Sequence, residues 1–123
     1  MSFVIKSINN FSKYVIVEHQ GELTREEFEE ARAIAKIKLD KNNWRRLLID
    51  VRCTVKSMPT VDVYYAMEGN IKVLPYVSIA LVFPPERKGE GDFAEAVASN
   101  RGVRLKSFID YDQAVAWLTV GST

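Results

Sequence analysis

Residues 46 to 62, RLLIDVRCTVKSMPTVD, gather much of what this chain could use for chemistry: Asp50, Arg52, Cys53, Lys56, Ser57 and Thr60. An apolar run passes here through a short polar segment into a helix start. In open α/β folds that junction is where ligands bind or a modification is read. Each side chain has two readings. Asp50 is either a functional carboxylate at a strand end or an acceptor for backbone donors of its own loop. Ser57 and Thr60 are either phosphate acceptors, favoured by the helix dipole, or N-caps. Cys53 is either a nucleophilic thiol or a small buried filler.

The wider inventory narrows the classes. His19 is the only histidine and Cys53 the only cysteine, so a Ser-His-Asp triad and a histidine- or cysteine-rich zinc site lack their members. No GxxxxGK[ST] or strand-following GxGxxG string occurs, and GEGD at 89–92 lacks the required context. No catalytic residue, metal ligand or cofactor is assigned, and an enzyme is disfavoured. Seventeen basic and sixteen acidic residues in 123 indicate one domain at a formal charge of +1, which argues against a nucleic-acid binder. With one cysteine an internal disulfide is impossible, which fits a reducing, cytoplasmic setting. No apolar run reaches the roughly 18 residues of a membrane span, and residues 1–10 lack a signal-peptide pattern.

The elements that must position these residues follow from periodicity and punctuation. Phe3 to Ile8 and Tyr14 to His19 are β-rich, and Asn9, Asn10 and Ser12 between them predict a hairpin. Thr24 and Glu27 form a capping box before a helix whose buried stripe is Phe28, Ala31, Ala35 and Leu39. Leu47 to Val51 and Val77 to Phe83 are continuous apolar runs that suit strands covered on both faces. A second helix spans Val61 to Val73 and is stopped by Pro75. Residues 84–91, PPERKGEG, read as a mobile loop, and Asp92 with Glu95 as the cap pair of a third helix. Gly102 suits a left-handed helix terminus, Val103 to Ile109 an edge strand, and Asp110 the cap of a last helix. The domain is expected over 1–119, with a tail at 120–123.

The order β-β-α-β-α-β-α-β-α predicts a mixed α/β sheet, an antiparallel hairpin followed by parallel strands. Parallel strands share a direction, so Arg52 and Lys56 should meet Arg87 and Lys88 on one rim, beside two helix N-termini. That geometry suits an anion, although such charges also keep surface loops hydrated. Met58, Tyr64, Phe83 and Phe93 could line an apolar cavity there, although core packing is the plainer use of most of them. Tyr64 and Tyr65 cannot both face inward, since helix neighbours diverge by about 100°.

These strings, from GELTREEFEEARAIAKIKL through WRRLLIDVR and VSIALVF to FAEAVASNRGVRLKSFIDYDQAVAWL, resemble the bacterial SpoIIAA-like (STAS/SEC14-related) family over nearly the whole chain. The most specific parts are the NRG turn and the closing Phe108, Asp110, Ala114, Trp117 and Leu118. The resemblance implies a single-domain β-α superhelix, shared by anti-sigma-factor antagonists and more distantly by CRAL-TRIO lipid-transfer domains. In the antagonists a serine in a D-S-S-G-like motif at the second helix is phosphorylated. Here that region reads CTVKSMPTVD, with Ser57 and Thr60 as approximate positional matches. The expected function is a non-enzymatic regulatory module that binds a protein partner, or itself as a homodimer, through the second-helix rim. The alternative is a carrier or sensor of a small apolar or anionic ligand between that helix and residues 84–91.

Overall fold

The structure, a computed structural model, describes residues 3–56 and 58–120, with Lys56 described by its backbone alone. Five strands form one sheet in the order β1-β2-β3-β4-β5. These are β1 (Phe3–Ile8), β2 (Tyr14–Glu22), β3 (Arg46–Lys56), β4 (Ser78–Val82) and β5 (Leu105–Phe108). The helices are α1 (Arg25–Asn42), α2 (Thr60–Val73), α3 (Lys88–Asn100) and α4 (Tyr111–Val120). β1 and β2 pair antiparallel, and every later neighbour pair is parallel. The mixed sheet is therefore as expected, with β5 on an edge.

Each parallel crossover moves one strand further in the same direction. Crossovers of one hand then put their helices on one face. Accordingly α1, α2 and α3 cover Val15, Val17, Leu47, Ile49, Ile79 and Leu81 in the larger core. α4 alone covers the opposite face, where Ala114 and Leu118 meet Tyr14, Ile16, Leu48, Ala80 and Val82.

Local chemistry sets the ends. Thr24 Oγ1 accepts from Glu27 N at 3.1 Å, and Asp110 Oδ1 from Gln113 N at 3.0 Å, so both expected caps form. Gly102 takes φ +79°, the left-handed conformation a side chain would strain. α4 continues to Val120, the first residue of the expected tail.

Four expectations are corrected. Residues 84–91 are not a loop: Pro84 and Pro85 open a 3-10 turn over Pro85–Arg87, and α3 follows directly at Lys88. The prolines preset φ for such a turn, and Lys88 pairs with Asp92 one turn on, at 3.0 Å. Asp92 thus lies inside the helix, and Glu95 Oε1 accepts from Ser107 N of β5 at 2.8 Å instead of closing a cap. Thr60 is the first helical residue of α2. Pro59 stands at its N-cap and makes no side-chain bond, so Thr60 does not cap.

The fourth correction concerns β3, which runs on to Lys56. Its pairing with β2 steps from Glu18↔Asp50 to Gln20↔Cys53, three residues against two. That bulge reverses the alternation. An unbroken strand would turn Val51, Cys53 and Val55 to one face. Instead Val51 and Thr54 are buried, while Cys53 and Val55 are exposed. Cys53 is not a buried filler.

Candidate functional site

The carboxyl ends of β3 and β4 and the start of α2 form one rim, and the bulge shapes it. Asp50 lies buried on the α4 side. Its Oδ1 accepts from Arg52 N and Nε, both at 3.0 Å, and its Oδ2 from Arg52 Nη2 at 2.8 Å. This is the loop-bonding reading of Asp50, with the Arg52 guanidinium added. The bond to Asp50 raises the Arg52 pKa above its ordinary value. Arg52 also stacks over the Tyr111 ring at 4.7 Å.

Arg87 reaches the same strand end from the other face. Its Nη2 donates to Val51 O at 2.9 Å, to Thr54 O at 3.3 Å and to Thr54 Oγ1. Its Nη1 lies 3.6 Å from Glu90. The bulge turns these carbonyls out of the ladder, and Arg87 binds them. Arg52 and Arg87 therefore do share a rim, as the parallel sheet requires. Both guanidiniums hold protein groups there, and Lys88 pairs with Asp92. Ser57 and the Lys56 side chain lie outside the described residues. Among the described residues no group of three or more His, Cys, Asp and Glu side chains is placed to hold a metal ion.

The apolar candidates separate. Met58 and Phe83, with Phe28, Met67, Leu81 and Ala94, enclose a cavity of about 20 Å³ beneath α2. That is room for about one water molecule. Phe83 and Lys88 also border a cleft of about 290 Å³ with Lys106, Ser107 and Gln113, between α3 and the β5–α4 connection. Tyr64 and Phe93 are partly buried and pack against the larger core. Tyr64 Oη accepts from Arg101 Nη2 at 2.7 Å. The four residues thus do not line one pocket.

Exposed apolar groups on the same rim were not legible beforehand. Val55 is 80 % exposed, Val61 57 % and Tyr65 50 %. Val61 and Tyr65 stand one turn apart on α2, on the same side. Arg25 lies 5.3 Å from the centre of the Tyr65 ring and 4.0 Å from Asp62, framing that side with charge. The pattern of α2 hinted at Tyr65, but only the bulge exposes Val55.

An α/β domain with a mixed five-stranded sheet, three helices on one face and one on the other has the SpoIIAA-like fold. A protein of the DUF3478 family with a SpoIIAA-like fold, from Shewanella loihica PV-4, is similar with a TM-score of 0.62 at 19% identity, over 95% of this chain and 92% of that one. The anti-sigma factor antagonist SpoIIAA in its unphosphorylated form is similar with a TM-score of 0.54 at 18% identity, over 83% of this chain and 100% of that one. At these identities the likeness is one of fold. No family model and no curated protein matches the chain.

Proposed function

We propose that this protein is a non-enzymatic interaction module that binds a protein partner through the rim formed by the end of β3 and the first turns of α2. The observation that carries this reading is the exposure of Val55, Val61 and Tyr65 beside the charged frame of Arg25 and Asp62. Apolar groups rimmed by charge mark interaction surfaces. The fold is in keeping with it, since a solved protein of similar fold is an anti-sigma factor antagonist. A phosphate on exposed Thr60 would lie at the positive end of α2 and next to this surface, with Asp62 opposing it. The expected partner complex is lost in Val61→Asp and weakened in Tyr65→Ala, with the melting temperature unchanged in both. Affinity capture with the full chain, scored for one protein that wild type retains and Val61→Asp releases, is the test. Equal retention by Val61→Asp rules out this rim.

A second reading keeps a small anionic ligand, moved from the α2 side to the 290 Å³ cleft, whose lining carries Lys88 and Lys106 against Asp92. Native mass spectrometry of freshly purified protein separates the two readings. A retained small-molecule adduct supports the cleft, and bare protein counts against it.

A further inference from the structure

We propose that the opposite end of the molecule, the rim at the amino ends of the parallel strands, docks on an anionic membrane surface. The formal charge of +1 conceals a polar arrangement. All four helices run back against the parallel strands they follow, so their carboxyl ends gather at this rim. Residues 36–46 carry Lys36, Lys38, Lys41, Arg45 and Arg46 against a single carboxylate, Asp40, and Lys13 joins them from the β1–β2 turn. At the far end, residues 18–30 hold six glutamates against Arg25. Among the described side chains of that end, Arg52 pairs with Asp50, Arg87 with Glu90 and Lys88 with Asp92.

Helix dipoles explain only part of this. Four carboxyl ends supply roughly −2 charges in all. The six cations less Asp40 leave a surplus of several positive charges. The acidic end does not cancel them at a surface. α1 has 18 residues, so the poles are separated by about 27 Å. That is about three Debye lengths at physiological salt. A charged surface touching the basic rim therefore meets a strongly cationic protein.

The apolar groups at this pole select the partner. Phe11 is fully exposed at the hairpin tip, and Tyr76 is 80 % exposed on the α2–β4 connection. Arg46 Nη1 donates to Ser12 O at 2.6 Å, which ties the hairpin tip to the rim. Lys13, Arg45, Arg46, Trp44 and Tyr76 line a shallow cleft of about 450 Å³ at this pole. No acidic residue borders it. Projecting aromatic rings among lysines and arginines suit a headgroup layer, where rings enter the interface and cations meet anionic lipid. No helix among the described residues is long and apolar enough to cross a membrane, so the contact would be peripheral.

The test is cosedimentation of the full chain with phosphatidylserine–phosphatidylcholine vesicles and with phosphatidylcholine vesicles alone. Binding is expected only to the anionic vesicles, and to fall by at least about tenfold between low and high salt. Lys13→Glu with Arg45→Glu should lower the partition coefficient by at least about tenfold. Phe11→Ser should lower it severalfold, with the melting temperature held. Glu26→Gln with Glu30→Gln, at the far pole, should leave it unchanged. Absence of binding at low salt, equal binding to neutral vesicles, or full binding by the double charge reversal overturns the proposal. So does tighter binding of a single-stranded oligonucleotide at the same salt, or salt-sensitive head-to-tail self-association abolished by the charge reversal.

Discussion

His19 is the residue whose surroundings are most at odds with its chemistry. It is buried, with its ring stacked on Phe28 at 5.9 Å and tilted against Phe3 at 5.8 Å, and its Nδ1 has no hydrogen-bond partner among the described residues. Burial pulls its pKa from 6.5 down to about 4, with Glu27 drawing it partly back. The neutral ring is therefore favoured in the folded chain, while the unfolded chain binds a proton from about pH 6.5 downward. Stability from this site is full above pH 6.5, falls as the pH drops, and stops falling below about pH 4. A shift of this size corresponds to about 3 kcal/mol. His19→Phe should remove that slope, and the check is the difference in unfolding free energy between wild type and variant from pH 7.5 to 4. An unchanged slope rules out His19 as its source. Arg32 is the other strained group: buried, it donates to Ala66 O at 2.7 Å and to Asn70 Oδ1 at 3.0 Å, joining α1 to α2. Burial lowers its pKa, with the Glu29 charge opposing. Gly69 lies against its guanidinium, and a methyl group there would displace it.

At the scale of the element, the two threonines at helix starts should behave differently. Thr24 accepts the Glu27 N–H at α1, so Thr24→Ala should cost about 1 kcal/mol. Thr60 occupies the first helical position of α2 without a capping bond, so Thr60→Ala should stay within about 0.5 kcal/mol of wild type. Urea denaturation of the two variants side by side checks both, and a comparable loss at Thr60 would restore it as a cap. The contrast also marks what local pattern can convey. Thr24, Asp110 and Gly102 were legible because a cap or a left-handed turn is decided within three or four residues. Local pattern offers Arg87 only to an anion or to the hydration of a loop, because its acceptors, Val51 O and Thr54 O, lie more than thirty residues earlier. Glu95 was read as a cap because its partner, Ser107, belongs to a strand not yet formed.

For the whole molecule, the uneven covering of the sheet has a measurable consequence. Three helices share one face, and α4 alone shields Leu48, Ala80 and Val82 on the other. Deleting residues 111–123 should leave a compact but loosened chain that binds a hydrophobic dye and unfolds without a sharp transition. Circular dichroism with dye fluorescence checks this, and a cooperative melt without dye binding would show that α4 is dispensable. The same arrangement separates the two proposed surfaces. The apolar rim of β3 and α2 lies at the carboxyl ends of the strands, and the basic rim at their amino ends. Simultaneous contact with a partner and a membrane is therefore sterically open.

The sequence by itself determined the order of elements, the mixed sheet, three helix termini and the meeting of Arg52 and Arg87 on one rim. Those follow from periodicity, capping chemistry and the common direction of parallel strands. Only the tertiary structure decided which side chains that rim displays. One additional residue in β3, accommodated against β2, inverts the alternation beyond Val51 and turns Cys53 and Val55 outward. A bulge is a property of two paired strands, and neither strand carries it alone. The basic pole is partly of the same kind: five of its six cations stand together in residues 36–46 and are legible there, but Lys13 and Phe11 join them only because the β1–β2 turn lies at the same end of the sheet.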